Sequence, residues 1–360
     1  MSNKRIGVLT SGGDCPGLNA VLRGVVRAAD SNGWKVLGFR DGYEGLLPPG
    51  GDYIMLDRHK TAGIMHLGGT ILGTTNRGHF VAKVGAGGKA VIPAEVIAQA
   101  KKTLTDLNVE ALIAIGGDGS LSTALQLCEN GINTVGVPKT IDNDIEATAM
   151  TFGFDSAVAC VADAMDRLHT TATSHKRVMV LEVMGRHAGW IALYGGLAGG
   201  GDIILIPEIP FDYEKIAQVV KQREADGCRS TLVVVAEGAK PVNGSTLMHK
   251  TESGEYRLGG IAETVAREIA ERTGKETRTC ILGHLQRGGG PTTHDRILGT
   301  QFGVKAVELI AEGKFGHMVS YRNHEICEVP IEQAVHRLRL VAPDSQFVKM
   351  ARSVEISFGD

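Results

Sequence analysis

The sequence predicts an α/β protein of two lobes with mainly parallel sheets, and three observations carry that prediction. Short runs rich in valine and isoleucine recur along the chain, end in glycine and polar residues, and lead into helix-like segments. Glycine pairs gather at those run ends: Gly12-Gly13, Gly68-Gly69, Gly116-Gly117 and the triplets at 199–201 and 288–290. The length of 360 residues, 43% of them apolar, suits two lobes better than one.

Each element follows from its local pattern. Ile6–Thr10 reads as a strand before a helix over Leu18–Ala29, and Ala111–Ile115 as a strand before a helix over Leu121–Cys128. Val158–Thr171 is helix-like, and Val178–Val183 and Leu232–Ala236 are strand-like. Lys240–Gly259, rich in glycine, serine, threonine and charge, reads as a loop excursion or hairpin. Beyond Pro330 the chain is more charged, with His336, Arg337 and Arg339, and reads as peripheral. Ligands of such sheets bind outside the carboxyl ends of the strands.

Bulk properties exclude several classes. A net charge of −2 with mixed signs leaves no footprint for nucleic acid or an acidic membrane surface, so any anion site is local. The six cysteines lack CxxC pairs or Cys/His clusters and read as reduced thiols, several of them in core positions. No secretory signal pattern opens the chain, and no run of about 20 apolar residues occurs. A cytoplasmic location is expected.

Three constellations carry chemistry. Ser11 to Gly17 follows the first strand and opens a helix; it offers backbone N–H groups to an anion, or it is a tight turn capped by Asp14. Gly116-Gly117-Asp118-Gly119-Ser120 leaves the next strand, with Asp118 suited to a divalent cation and Ser120 to a phosphate oxygen. Asp118 equally suits the cap of the following helix. Lys139-Thr140-Ile141-Asp142-Asn143-Asp144 concentrates carboxylates that accept a sugar hydroxyl's proton or hold a metal, though an Asx turn fits the same residues. Around two further strands lie Arg177 with Met184-Gly185-Arg186-His187, and Arg278 with His284 and Arg287, the latter set flanking one apolar strand. Arginine forks suit phosphate.

These residues resemble the 6-phosphofructokinase family, of the phosphofructokinase A type. The likeness runs from about Ile6 to Gly303 through GVLTSGGDCPGLNA, GGTILGT, IGGDGS, PKTIDND, SHKRVMVLEVMGR and LGHLQRGG. It implies two Rossmann-like lobes with the active site in the cleft between them, and transfer of the γ-phosphoryl of ATP to the 1-hydroxyl of fructose 6-phosphate with Mg²⁺. The boundaries it implies are 1–153 plus 286–337 for a nucleotide-binding lobe and 154–285 plus 338–360 for a sugar-phosphate lobe. By motif position, Asp142 is the general base, Thr140 lies beside the transferred phosphoryl, and Arg186 stabilises transition-state charge. Gly12, Asn76, Arg77, Gly117, Asp118, Gly119 and Ser120 match nucleotide positions, with Asp118 associated with the metal. Thr140, Ile141, Asp142, Met184, Gly185, Arg186, Glu237, His284 and Arg287 match sugar-phosphate contacts. So do Arg177 and Arg278, which in the family reach across from a neighbouring subunit, implying a homotetramer.

Two residues bear on the phosphoryl donor. ATP users of the family usually carry Gly-Gly-Asp-Gly; pyrophosphate users carry Gly-Gly-Asp-Asp, with lysine before Thr-Ile-Asp. This chain combines Gly119 with Lys139. A carboxylate at 119 would crowd and repel an α-phosphate, whereas an added cation is accommodated by either donor, so Gly119 points to ATP. Arg23 and Arg27 sit where bacterial relatives bind an effector phosphate, but His169, Asp226 and Cys228 replace the family's other basic positions there, which predicts an altered effector response. Three alternatives stand beside this reading: the pyrophosphate-dependent transferase, a non-catalytic sensing subunit, and a nicotinamide-dependent dehydrogenase. The presence of Asp118, Asp142 and Asp144 weighs against the second, and the absence of GxGxxG against the third.

Overall fold

In the computed structural model, residues 4–80, 91–242, 244–246, 248–250 and 256–360 are described. In chain order the first elements are β1 (Arg5–Thr10), α1 (Leu18–Ser31), β2 (Lys35–Phe39), β3 (Tyr53–Leu56), α2 (Ala94–Asp106), β4 (Val109–Gly116), α3 (Asp118–Glu129) and β5 (Thr134–Pro138). Then come α4 (Phe154–His175), β6 (Val178–Val183), α5 (Trp190–Ala198), β7 (Ile203–Leu205), α6 (Tyr213–Ala225), β8 (Thr231–Ala236), β9 (Met248–Lys250) and β10 (Tyr256–Leu258). The chain finishes with α7 (Ile261–Thr273), β11 (Thr277–Ile281), α8 (Thr293–Ala311), β12 (His317–Arg322), β13 (Glu325–Pro330), α9 (Ile331–Val335) and α10 (Gln346–Ser353).

Two compact units result. The first comprises Met1–Ile141, Ile145–Ser156 and Arg287–Leu338; the second Asp142–Asp144, Ala157–Gln286 and Arg339–Asp360.

The first unit holds a seven-stranded sheet ordered β13-β12-β5-β4-β1-β2-β3. Its interior pairs are parallel, and β3 and β13 add antiparallel edges. Because β2 and β3 lie to one side of β1 and β4 and β5 to the other, the strand order reverses at the β1/β4 boundary, where such sheets bind ligands. The apolar stripe of α1, from Leu18 through Val25 to Ala29, is buried. Helix α1 meets α8 closely: a Cβ on Gly24 would lie 2.6 Å from the carbonyl oxygen of Thr300. Only glycine permits that approach.

The second unit holds an all-parallel sheet ordered β11-β6-β8-β7. Strands β6 and β8 are buried along their whole length. Covering helices α6 and α7 supply Ile216, Val220, Ile261, Val265 and Ile269 to the core. Continuous Val/Ile runs are what a strand covered on both faces requires.

Two expectations are corrected. The segment beyond Pro330 is not peripheral: Ile331, Val341, Val348, Ala351 and Phe358 are buried, and Ser357 forms a bridge beside Ile203 of β7. Its charges alternate with an apolar face, so composition concealed the packing. Of the cysteines, all six of which are free, only Cys15 is buried, and Cys228 is exposed. Within Lys240–Gly259, β9 and β10 form an antiparallel pair; residues 243, 247 and 251–255 lie outside the described residues. No described helix is long and apolar enough to cross a membrane.

Candidate active site

In the first unit, β1, β4 and β5 are adjacent and parallel, so their exits, glycine-rich after β1 and β4, share one edge of the sheet. Backbone bonds lock the exits together: Ser11 N donates to Ile115 O at 2.9 Å, and Lys139 N to Gly116 O at 2.9 Å. Gly12 takes a left-handed backbone (φ 82°). Its N–H donates to Thr75 O at 3.0 Å, and the Thr74 hydroxyl donates to Gly12 O at 2.7 Å. These bonds bring the exposed Asn76–Arg77 segment to the β1 exit.

Here the sequence reading needs two corrections. Helix α1 starts at Leu18 with Gly17 as its N-cap and no side-chain cap, so Asp14 does not cap it and Gly12 lies outside its first turn. Helix α3 starts at Asp118 itself, with Gly117 as N-cap, so Asp118 is its first residue and not the cap of a helix starting at Leu121. A carboxylate there faces the positive end of the helix.

The Lys139 ammonium donates to the carbonyl oxygen of Gly13. Burial holds its amine below the ordinary lysine range, the Arg287 charge adds to that lowering, and Asp14 and Asp118 oppose it. Burial also pushes the Cys15 thiol up to about 12, so the thiol stays neutral. Arg287 donates to Asp14 O at 3.2 Å and covers Gly13, where a Cβ would meet its guanidinium at 2.8 Å.

The donor set would suit Mg²⁺ shared with a ligand's phosphate oxygens. Among the described residues no group of three or more His, Cys, Asp or Glu side chains is placed to hold an ion. Mg²⁺ characteristically takes one or two carboxylates together with substrate phosphates. A lone, half-buried Asp118 at a phosphate-friendly strand exit matches that mode.

The second unit carries the other residues. Met184, Gly185 and Arg186 leave β6, Glu237 leaves β8, and His284 follows β11, all at the carboxyl edge. Three bonds hold this edge: Met184 N to Gln286 Oε1 at 2.8 Å, Glu237 N to Val183 O at 2.9 Å, and Gly238 N to Gly185 O at 3.1 Å. Gly185 has φ 139°, so a side chain there would be strained. Arg186 and His284 are exposed.

Register puts Glu182 opposite Val235 in β8, and Glu237 is two residues further on, so both carboxylates stand on one face. They line a cavity of about 320 Å³ with Met184, Glu263 and His284. Burial first, then the Asp142 charge, raises the Glu237 carboxyl to about 7, with Arg186 opposing and Glu182 adding to the rise. The buried Glu182 carboxylate accepts from Gly260 N at 3.3 Å and Ala262 N at 3.0 Å at the start of α7.

Asp142–Asp144 clusters with the second unit, whereas Thr140 and Ile141 belong to the first. Asn143 between the carboxylates is left-handed (φ 50°), a conformation asparagine tolerates better than most residues. Arg339 secures the turn: its backbone N donates to Asp144 O at 2.8 Å and its guanidinium to Asn143 O at 3.1 Å. The guanidinium lies 4.3 Å from the Trp190 ring centroid, and Trp190 Nε1 donates to Arg339 O at 2.8 Å.

Arg177 and Arg278 are not brought to that edge. Arg177 precedes β6 and Arg278 is the second residue of β11, so at 3.3 Å per residue they lie about 23 Å and about 13 Å from the exits of their strands. Both pair with Glu276: Arg177 Nε at 2.9 Å, and Arg278 through its guanidinium. Nor is β11 an apolar interior strand; it is a sheet edge, with Ile281 48% exposed.

Sequence reasoning missed Glu182, Gln286 and Arg339. A glutamate inside the otherwise apolar Val178–Val183 was a usable signal, because burying a carboxylate demands partners. Glu208 was missed as well; its carboxylate accepts from Gly189 N at 3.0 Å and Val341 N at 2.8 Å, anchoring the end of the Arg186 loop.

Comparison with known proteins agrees with this arrangement. The family model described as Phosphofructokinase matches residues 5–310. The chain is 50% identical over 357 residues to an ATP-dependent 6-phosphofructokinase of Chloroflexus aggregans, covering 99% of this chain and 98% of that protein. It is 48% identical over 344 residues to a pyrophosphate–fructose 6-phosphate 1-phosphotransferase of Amycolatopsis methanolica, covering 94% and 97%. The solved structure of Pichia pastoris phosphofructokinase in the T-state superposes with a TM-score of 0.82 at 31% identity; it covers all of this chain, which spans 37% of that longer one. Across its fold, its strand exits and nearly its whole length, this chain belongs to the phosphofructokinase family.

Proposed function

We propose that this chain is an ATP-dependent 6-phosphofructokinase, converting fructose 6-phosphate and ATP into fructose 1,6-bisphosphate and ADP. The β4–α3 exit carries the reading: Gly117-Asp118-Gly119-Ser120 opens a helix with no side chain at 119 to crowd an α-phosphate. The relatives' names include both ATP- and pyrophosphate-dependent enzymes, and the unobstructed 119 position favours ATP.

In this reading the first unit's exits take the nucleotide, with Gly12, Gly117, Gly119 and Ser120 against its phosphates and Asn76 and Arg77 beside it. Asp118 would hold Mg²⁺ here, and the chemistry the ion would supply is neutralisation of phosphate charge. The second unit takes the sugar phosphate. Asp142 accepts the proton of the 1-hydroxyl as its oxygen attacks phosphorus. Arg186 stabilises charge on the equatorial oxygens and Thr140 orients them. Glu237 receives a sugar hydroxyl, Ile141, Met184 and Gly185 shape the pocket, and His284 and Arg287 bind phosphate. Arg177 and Arg278, at the far end of the sheet, serve a neighbouring subunit in a homotetramer, and the enzyme works in the cytoplasm.

Phosphorus NMR of a mixture of the protein, Mg²⁺, ATP and fructose 6-phosphate tests this directly. Fructose 1,6-bisphosphate and ADP must appear in equal amounts; hydrolysis of ATP without sugar bisphosphate would overturn the assignment.

A further inference from the structure

Glu208 lies in the turn between β7 and α6, where burial raises its carboxyl above the ordinary range. A carboxylate drawn away from water needs hydrogen-bond partners, and Glu208 finds backbone N–H groups from two distant segments. Its Oε1 accepts from Gly189 N at 3.0 Å and from Val341 N at 2.8 Å, and its Oε2 accepts from Gly189 N at 3.1 Å. Position 189 has no room for a side chain: a Cβ there would lie 2.4 Å from the Cβ of Ile206 and 2.9 Å from Glu208 Oε2.

These bonds close a ring. Gly189 is the N-cap of α5, whose first residue is Trp190. Trp190 Nε1 donates to Arg339 O at 2.8 Å, and the chain then runs through Leu340 to Val341 and back to Glu208. Every member belongs to the second unit.

Two segments that carry reacting groups hang from this ring. On one side Gly189 ends the loop of Arg186, an exposed residue whose loop is buried at Gly185 and again at Ala188. On the other, Arg339 N donates to Asp144 O at 2.8 Å and its guanidinium to Asn143 O at 3.1 Å, fixing the turn that follows Asp142.

We propose that Glu208 is a positioning residue for phosphoryl transfer: its one carboxylate ties the Arg186 loop to the segment that holds the Asp142 turn, and so sets the guanidinium and the base relative to each other. This rests on the reading of Asp142 and Arg186 as catalytic. Glu208 acts through the two segments it joins.

Three substitutions separate acceptor, shape and reach. Glu208→Gln keeps a carbonyl oxygen for both N–H groups, Glu208→Met fills the space without that acceptor, and Glu208→Asp keeps the charge one methylene short. Glu208→Gln is expected to stay within about threefold of wild-type kcat. Glu208→Met loses about a hundredfold in kcat and Glu208→Asp about tenfold, each with KM for fructose 6-phosphate within about threefold. A role in folding alone would lower the melting temperature and leave kcat of the folded protein unchanged. In the double variant Glu208→Met with Arg339→Met, the loss stays close to that of Glu208→Met, because both act on one segment. Wild-type kcat in a folded Glu208→Met overturns the proposal, as does a Glu208→Gln loss equal to that of Glu208→Met, or losses that multiply in the double variant. If Glu208→Met does not fold, wild-type kcat in Glu208→Asp overturns it.

Fluorescence separates this inference from the functional reading. The chain has two tryptophans, so in a Trp34→Phe background the emission of Trp190 reports on the ring without substrate. If wild type phosphorylates no sugar, the activity assignment fails; emission moved to longer wavelength in Glu208→Met and not in Glu208→Gln still upholds the tie, and unchanged emission in both refutes it.

Discussion

Arg339 holds Asp144 by its backbone: the Arg339 N–H donates to the Asp144 carbonyl oxygen at 2.8 Å, while its guanidinium reaches Asn143 O and lies over the Trp190 ring. Nearly two hundred residues separate the partners in sequence. The turn that carries the proposed base is thus set by the chain's last segment. Arg339→Met keeps the backbone bond but removes the guanidinium, and is expected to lower kcat about tenfold with a smaller change in KM, because misplacing a reacting group costs rate before affinity. Steady-state kinetics check it; an unchanged kcat would show that the turn holds without the side chain.

Asp142 is expected to be the residue whose loss costs most. Asp142→Asn removes the proton acceptor and preserves shape, so kcat falls by about 10²–10⁴ while fructose 6-phosphate binding, measured by calorimetry, stays within about threefold. Retained turnover would move the base elsewhere.

Glu237 gives a pH signature. Its carboxyl titrates near 7 in the folded protein against an ordinary 4.5. Between those values the folded state binds more protons than the unfolded state, so this residue's stability contribution is full below about 4.5 and is lost as pH rises through about 7. Glu237→Gln removes that loss. Thermal melts across this range are expected to show the wild type declining more steeply with pH than the variant; parallel curves would contradict the assignment.

Much of this was legible in the sequence, and what was not has physical reasons. Val178–Val183 is legible to its boundaries because a strand covered on both faces reads as a near-continuous apolar run, interrupted here only by Glu182. The exits at Gly12, Asp118 and Asp142 stood out because carboxylates and glycines after apolar runs are costly unless used. Arg339 was hidden among the charges of the last segment, and Gln286 looked like one polar residue among several. Their roles are bonds to distant backbone, Asn143 O and Met184 N, and no local pattern encodes a partner's address. The placement of Arg177 and Arg278 at the amino end follows from parallel strand direction, which becomes visible only once β6 and β11 are paired.

That placement yields a complementation experiment. If Arg177 and Arg278 complete a neighbour's site, Arg278→Ala and Asp142→Asn, each nearly inactive alone, regain activity when mixed under conditions that let subunits exchange. Up to about a quarter of wild-type rate is expected from hybrids whose intact residues meet. No recovery after demonstrated exchange would place both arginines outside a shared site.

The donor assignment is the centre of the account, and Gly119 with Lys139 is its narrowest point. Initial rates with fructose 6-phosphate and Mg²⁺, measured side by side with ATP and with pyrophosphate, test it most directly. A kcat/KM for ATP at least about a hundredfold above that for pyrophosphate is predicted, since an open 119 position admits the α-phosphate. A preference for pyrophosphate would contradict it.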